Sequence, residues 1–198
     1  MILKGLKFGK KYLTITIVVI LLITPIFFGI YIDFLIVSVL SLGVMLFLLI
    51  GFVFLLGLGK VMEFFMYSER SRELMKKHDI VKALLNENDI NVLLIFFPLT
   101  MIMEELIFRY YLIGVLLNQL MVGFTSAIII SSSIFSLYHL HIWFRYKDLK
   151  ILISYLISSF LLGIYNAYIL LTLGIFVCVI VHAVLVFILY YNLYKKLS

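Results

Sequence analysis

Long apolar runs alternate with short polar junctions along this chain. A membrane-spanning helix needs about 20 mostly apolar residues, and six windows meet that requirement: 12–31, 34–58, 92–117, 122–143, 150–171 and 173–193. The predicted breaks fall at Asp33, Gly59–Lys60, Asn118–Gln119, residues 145–150 and a weak turn around Thr172 and Gly174. The pattern predicts an all-α polytopic membrane helix bundle with about six transmembrane helices.

The long polar segment 60–91 interrupts this series of spans. It mixes both signs of charge and places apolar residues at helical spacing, among them Leu74, Val81, Leu84 and Leu85. The pattern predicts one or two amphipathic helices on the membrane surface, with a plain solvated connector as the alternative. We therefore expect two regions: residues 1–91, with two transmembrane helices and a cytoplasmic amphipathic loop, and residues 92–198, a core of four transmembrane helices.

Composition supports a membrane protein. The chain is 65% hydrophobic and 13% charged, whereas soluble domains average about 45–50% apolar and 25% charged residues. Fifteen of the 16 Lys and Arg residues lie in the N-terminal tail, 60–91, 145–150 and the C-terminal tail. Six spans put all fifteen on one side, so both termini are predicted to be cytoplasmic. The net charge of +6 therefore indicates a lipid partner and no nucleic acid.

Small residues recur along the fourth and fifth predicted spans. Such spacing lets helix backbones approach closely in lipid, so these two helices are expected to form the tight centre of the bundle. The residues are Ser126, Ser131, Ser132, Ser133 and Ser136 in the fourth span, and Ser154, Ser158, Ser159, Gly163 and Ala167 in the fifth.

Three ionisable residues, Glu104, Glu105 and Arg109, lie in the middle of the third span. Each costs about 2.5–3.5 kcal/mol at mid-helix on insertion scales, so all three should face the bundle interior. Glu105 and Arg109 are four residues apart and can pair on one face. Glu104 points about 100° away around the helix. A buried ion network without chemistry is one explanation.

Two histidines in other predicted spans offer a chemical explanation. His139 lies in the fourth span and His182 in the sixth. Glutamate and neutral imidazole can activate water directly or through a metal ion, and catalytic zinc takes such ligands. Glu104, His139 and His182 are therefore candidate catalytic residues and candidate zinc ligands, with a metal-free mechanism as the alternative.

Three other residues receive structural interpretations. His141 is expected at the membrane interface because it is two residues past His139, on roughly the opposite face. His78 lies in the polar loop and is expected to be solvated. Cys178 lies in an apolar run and is expected to behave as a small buried hydrophobe.

Two short motifs resemble a known family. "EELIFR", with Glu104, Glu105 and Arg109, resembles the EExxxR motif of the CAAX-protease and bacteriocin-processing family, also called CPBP or Abi. "FSLYH", with Phe135 and His139, resembles its FxxxH motif, and the segment ending at His182 is similar to the one before the family's last histidine. The resemblance covers about residues 90–190.

The resemblance implies an all-helical intramembrane endopeptidase. Glu104 would activate the hydrolytic water, with His139 and His182 completing the site, while Glu105 and Arg109 brace the helix. The substrate would be a peptide or protein at the cytoplasmic half of the membrane. The chain itself would be a multi-pass protein of a bacterial plasma membrane. Residues 92–198 would be the catalytic core. The resemblance allows two catalytic types, a zinc-dependent protease and a metal-free glutamate protease.

Val186 departs from the family pattern, which commonly has an asparagine four residues after the last histidine. That asparagine is implied to stabilise the oxyanion, so another group, such as Asn166, substitutes here or the protein is slow or inactive. A non-catalytic bacteriocin-immunity or peptide-binding scaffold is therefore the second hypothesis. A small transporter or proton relay ranks third, because the sequence lacks repeat pairs.

Overall fold

The computed structural model describes residues 10–37, 39–85 and 90–197. Within these ranges the chain contains helices, turns and loops but no strand, so the predicted all-α class is confirmed. The helices are α1 (Lys10–Ile23), α2 (Leu42–Met66), α3 (Glu69–Met75), α4 (Asp79–Leu85), α5 (residues 92–119), α6 (Phe124–Tyr138), α7 (His141–Tyr146), α8 (Leu149–Leu173) and α9 (Ile175–Leu197).

Five helical segments of the described chain are long and apolar enough to cross a membrane. They are Lys10–Phe28, Leu42–Met66, Phe124–Tyr146, Leu149–Leu173 and Ile175–Leu197. The remaining predicted span, 92–117, is helical throughout but carries the three charges that distinguish it from the others. The arrangement is a polytopic helix bundle.

Helix α2 begins eight residues later than the prediction of 34–58. Gly29 and Tyr31 adopt left-handed conformations with φ of 83° and 55°, and a short 3-10 turn follows at Ile32–Phe34. Ser41 then caps α2 by accepting a hydrogen bond from the Val44 backbone N–H. The predicted start was wrong because apolar loop residues have the composition of a span.

The polar segment 60–91 begins within α2 and then forms two short helices, as its periodicity predicts. Helices α3 and α4 bury Met75, Ile80 and Val81 against the bundle. Asp79, at the start of α4, forms ion pairs with Lys11 and Arg145. These contacts bring three separate basic regions to one end of the bundle. Residues 86–89, Lys4 and Lys7 lie outside the described ranges.

Helices α6 and α8 approach closely, as the small residues predict. A Cβ atom at Gly163 would lie 2.8 Å from Ser132 Cβ and 2.9 Å from Ser132 Cα. The Ser136 hydroxyl donates to the Leu156 carbonyl oxygen across 2.7 Å. This contact holds the helix that ends at His139 against the centre of the bundle.

Two breaks in the helices position the site. The fourth predicted span turns after Tyr138, where His139 caps α6, and resumes as α7. The predicted turn between the last two spans falls at Gly174, whose φ is 88°. A Cβ atom there would lie 2.6 Å from the Leu35 carbonyl oxygen, so glycine serves both the left-handed conformation and the close approach.

Candidate active site

A cavity of about 680 Å³ is lined by all three predicted site residues. Glu104 from α5, His139 from the end of α6 and His182 from α9 all line it. Its apolar walls come from several helices and include Ile15, Leu55, Phe96, Met101, Leu162 and Leu185. The separate helices thus converge on one pocket, as the sequence analysis predicts.

The adjacent carboxylates Glu104 and Glu105 have opposite surroundings. Glu105 is fully buried, and Glu104 is 6% exposed and lines the cavity. His182 approaches Glu104 across the cavity, with 4.0 Å between Oε2 and Nε2. Among the described residues, no donor lies within hydrogen-bond distance of the Glu104 carboxylate. Glu105 is therefore enclosed by protein groups, whereas the Glu104 carboxylate faces the cavity.

Glu105 joins helices α5, α8 and α9. His182 Nδ1 lies 2.6 Å from its Oε1, and Asn166 donates from Nδ2 to the same oxygen across 3.1 Å. The Cys178 thiol donates to Oε2 at 2.8 Å. These contacts could not be predicted from the sequence, because α8 and α9 are far from Glu105 along the chain. It was also wrong to treat Cys178 as only a hydrophobe.

Arg109 is fully buried beside Glu105 and Phe135. Its Nε lies 3.4 Å from Glu105 Oε2, the predicted i,i+4 ion pair. This contact is not a hydrogen bond, and the guanidinium nitrogens have no hydrogen-bond partner in the described part of the chain. Instead Arg109 Cζ lies 3.9 Å from the centre of the Phe135 ring, which the cation attracts through the ring quadrupole.

Helix α5 contains three π-helical turns, at Val92–Phe96, Leu106–Tyr111 and Val115–Gln119. Such turns occur frequently at functional sites. The middle turn begins directly after Glu105 and includes Arg109. Helical periodicity alone does not predict such turns.

Hydrogen bonds define the tautomers of both site histidines. A carboxylate or carbonyl oxygen can only accept, so Nδ1 of His182 donates to Glu105 and Nδ1 of His139 donates to the Phe135 carbonyl oxygen across 2.9 Å. In the neutral rings, each Nε2 then carries a lone pair. The Phe135 ring lies edge-on to both imidazoles, with centroid separations of 4.9 Å and 6.0 Å.

Val186, which stands where the family commonly has asparagine, and Asn166, the proposed substitute, lie in different surroundings. Val186 lines the cavity and brings an aliphatic surface there. Asn166, which the sequence analysis named as a substitute donor, is fully buried and directs its amide nitrogen at Glu105. It therefore supports a carboxylate rather than the cavity.

The other two histidines have different outcomes. His141 is exposed, and its Nδ1 bonds to the Tyr138 carbonyl oxygen. His78 was predicted to be solvated, and this was wrong: its ring stacks on Tyr190 with 4.3 Å between centroids. Burial, with the nearby Arg145 charge, lowers the pKa of His78 to about 3, so the ring is neutral near pH 7.

Zinc ligands lie about 2.0–2.2 Å from the metal, so a zinc site needs its donors gathered closely. Within the described ranges, no group of three or more His, Cys, Asp or Glu side chains is arranged to hold a metal ion. Glu104, His139 and His182 line one cavity without forming such a group. Zinc binding remains a prediction from the sequence.

Membrane-length helices around a buried site of carboxylates and imidazoles define a multi-pass membrane protein with a polar interior. A family model described as type II CAAX prenyl endopeptidase Rce1-like matches residues 86–188, just over half of the chain. The chain therefore belongs to this endopeptidase family, which confirms the resemblance seen in its motifs. Comparisons with curated proteins and with solved structures found no match.

Proposed function

We propose that the protein is an intramembrane endopeptidase that hydrolyses a peptide bond with water activated by Glu104. Membership of an endopeptidase family supports the reaction class. The observation that carries the proposal is the contrast between the two carboxylates: Glu105 is bound on both oxygens, whereas Glu104 faces the cavity and His182 Nε2.

The 4.0 Å between Glu104 Oε2 and His182 Nε2 is too long for a direct hydrogen bond and suits a water that donates to both acceptors. With both hydrogens engaged, the water directs a lone pair towards the substrate carbonyl. Glu105 acts through His182, because its bond to Nδ1 keeps Nε2 free to accept. Glu105 is thus a positioning residue.

In the proposed reaction, Glu104 removes a proton from the water as its oxygen bonds to the carbonyl carbon. The carbonyl π electrons move to the oxygen and form a tetrahedral intermediate. When the C–N bond breaks, its electron pair goes to the nitrogen, which takes the proton from Glu104. General acid–base catalysis of this kind contributes about 10²–10⁴-fold. The steps need no metal.

The cavity supports a substrate with an apolar segment. Its lining is mostly aliphatic and aromatic, and His78, Asp79 and Arg145 lie at the end where the basic regions gather. That end is the cytoplasmic one if the positive-inside rule holds. We therefore propose cleavage at the cytoplasmic half of a bacterial plasma membrane, on a lipid-embedded peptide or protein.

The test uses the full chain in liposomes and a fluorogenic peptide ending in a CAAX sequence, with and without a farnesyl group. We expect cleavage by the wild type and a loss of at least about 100-fold in Glu104→Gln. The matched control is Glu69→Gln, which changes an exposed glutamate and should cleave normally. Normal cleavage by Glu104→Gln would disprove the role of Glu104.

A second candidate function, supported by the apolar side chain of Val186 in the cavity, is a non-catalytic immunity or peptide-binding protein. Unlike the endopeptidase, such a protein would not need the Glu104 carboxylate for its activity. Binding of the same peptide, with no cleavage product and with unchanged affinity in a Glu104→Ala/His139→Ala double variant, would support this candidate over the enzyme.

A further inference from the structure

We infer that the Tyr155 hydroxyl donates a hydrogen bond to the substrate carbonyl oxygen during hydrolysis, and that Tyr190 and His78 orient it. The inference rests on the proposed function, because it supplies a group that peptide hydrolysis requires. Negative charge develops on the carbonyl oxygen in the transition state, and a positioned donor stabilises it.

The three predicted site residues do not supply that donor in their neutral-histidine form. Glu104 is an acceptor when ionised. His182 and His139 have committed their N–H groups to Glu105 and to the Phe135 carbonyl oxygen, so each can present only a lone pair at Nε2. Val186, one helical turn after His182, adds only methyl groups. A donor must come from another side chain of the cavity.

A chain of hydrogen bonds ends at such a donor. The Ile80 backbone N–H donates to His78 Nδ1 at 3.4 Å, so the neutral ring carries its proton on Nε2. That nitrogen lies 2.9 Å from the Tyr190 hydroxyl and donates to it. Tyr190 is then free to donate to the Tyr155 hydroxyl at 2.7 Å. The Tyr155 hydroxyl then accepts from Tyr190, and its own O–H can donate to a group in the cavity.

The direction of the chain depends on a neutral His78. Its ring stacks on Tyr190 at an interplanar angle of 20°, which holds the two groups in register. Burial keeps the pKa of His78 near 3. Successive hydrogen bonds in one direction polarise each other, which strengthens Tyr155 as a donor.

The position of the chain fits the site. His78, Tyr155 and Tyr190 line the same cavity as Glu104 and His182. The Tyr155 ring lies 6.1 Å from the His139 ring between centroids. Tyr190 follows His182 by eight residues and therefore lies on the same face of α9, two turns further along.

The first measurement is the steady-state cleavage of the farnesylated CAAX peptide by liposome-reconstituted variants. Tyr155→Phe should lower kcat about 10²–10³-fold with little change in KM. Tyr190→Phe keeps the Tyr155 hydroxyl but removes its donor, so kcat should fall about three- to tenfold. Tyr191→Phe is the matched control, since its exposed ring lies outside the cavity lining, and it should cleave normally.

The second measurement separates donation from a structural role. Two uncleavable versions of the peptide are compared: a phosphinic analogue with tetrahedral oxygens, and a reduced-amide analogue with no carbonyl oxygen. Tyr155→Phe should bind the first at least about 10-fold more weakly and the second with unchanged affinity. Tyr190→Phe should show the same selectivity to a smaller degree, and it provides the test if Tyr155→Phe does not fold.

Each result decides between the two claims. Glu104-dependent cleavage with normal kcat in Tyr155→Phe, or equal weakening of both analogues in either variant, would overturn the Tyr155 inference and leave the proposed function standing. A wild type that shows no Glu104-dependent cleavage would overturn both.

Discussion

His182 and Glu105 form a 2.6 Å contact between Nδ1 and Oε1 inside the bundle. Because the carboxylate accepts, the imidazole proton is held on Nδ1 and the Nε2 lone pair is directed away from Glu105, towards Glu104. Two neighbouring residues on one helix thereby take separate tasks, one orienting the imidazole and the other facing the cavity.

Glu105→Gln should test that orientation while preserving shape. The new amide can donate to Nδ1, which would move the imidazole proton to Nε2 and abolish the acceptor. We expect kcat to fall at least about 100-fold, with KM for the CAAX peptide little changed. The control is Glu63→Gln, whose side chain pairs with Lys196 at another part of the cavity. Unchanged kcat in Glu105→Gln would contradict a positioning role.

The sequence predicted the all-α class and an inward orientation of Glu104, His139 and His182, because charged and imidazole groups in apolar spans must face inward, and the structure has all three on the lining of one cavity. The sequence did not predict the partners of Glu105, since Asn166 and Cys178 become neighbours only when α8 and α9 pack. Nor did it place His78, whose polar loop folds back to stack on Tyr190. Tertiary packing determines both the partners of Glu105 and the position of His78, and local sequence patterns do not show it.

The start of α2 shows a related limit. Residues 34–41 are mostly apolar and satisfy a hydropathy window as well as a helix does, yet residues 35–37 and 39–41 are not helical and lead to the Ser41 cap. By contrast, the small residues of α6 and α8 predicted their contact, because close backbone approach leaves a direct mark on composition.

Gly163 should be intolerant of any side chain. A Cβ there would meet Ser132 Cβ and Cα at 2.8 Å and 2.9 Å, and neither atom can move without shifting α6. Gly163→Val should therefore cost about 1–3 kcal/mol of folding free energy, seen as a lower Tm in detergent. Gly57→Ala is the matched control: nothing lies within 4 Å of its Cβ position, so it should be neutral or slightly stabilising. Equal Tm values for wild type and Gly163→Val would refute the close contact.

His78 should make stability depend on pH. Burial, with Arg145 nearby, lowers the pKa of His78 to about 3, whereas an unfolded histidine titrates near 6.5. The unfolded state therefore binds the proton first, and stability is lost as pH falls below about 6.5. The loss from this group amounts to about 2 kcal/mol between pH 7 and 5.

Thermal unfolding in detergent at pH 7 and pH 5 would measure this effect. The advantage of wild type over His78→Gln should shrink at pH 5, because glutamine does not titrate. Tyr191→Phe, a change at an exposed ring outside the cavity lining, provides the control and should track the wild type at both pH values. A constant difference between wild type and His78→Gln would show that His78 is not held neutral.

Chelation should separate the two mechanisms that the residues allow. The proposed reaction uses Glu104 and His182 with water alone, so cleavage of the CAAX peptide should persist after treatment with 1,10-phenanthroline and removal of the chelator. Metal analysis of the same sample identifies the ion if one is present. Loss of cleavage together with bound zinc, restored when zinc is added back, would instead assign Glu104, His139 and His182 as ligands. In that event His139→Ala should lower the zinc content, whereas Tyr191→Phe should leave it unchanged.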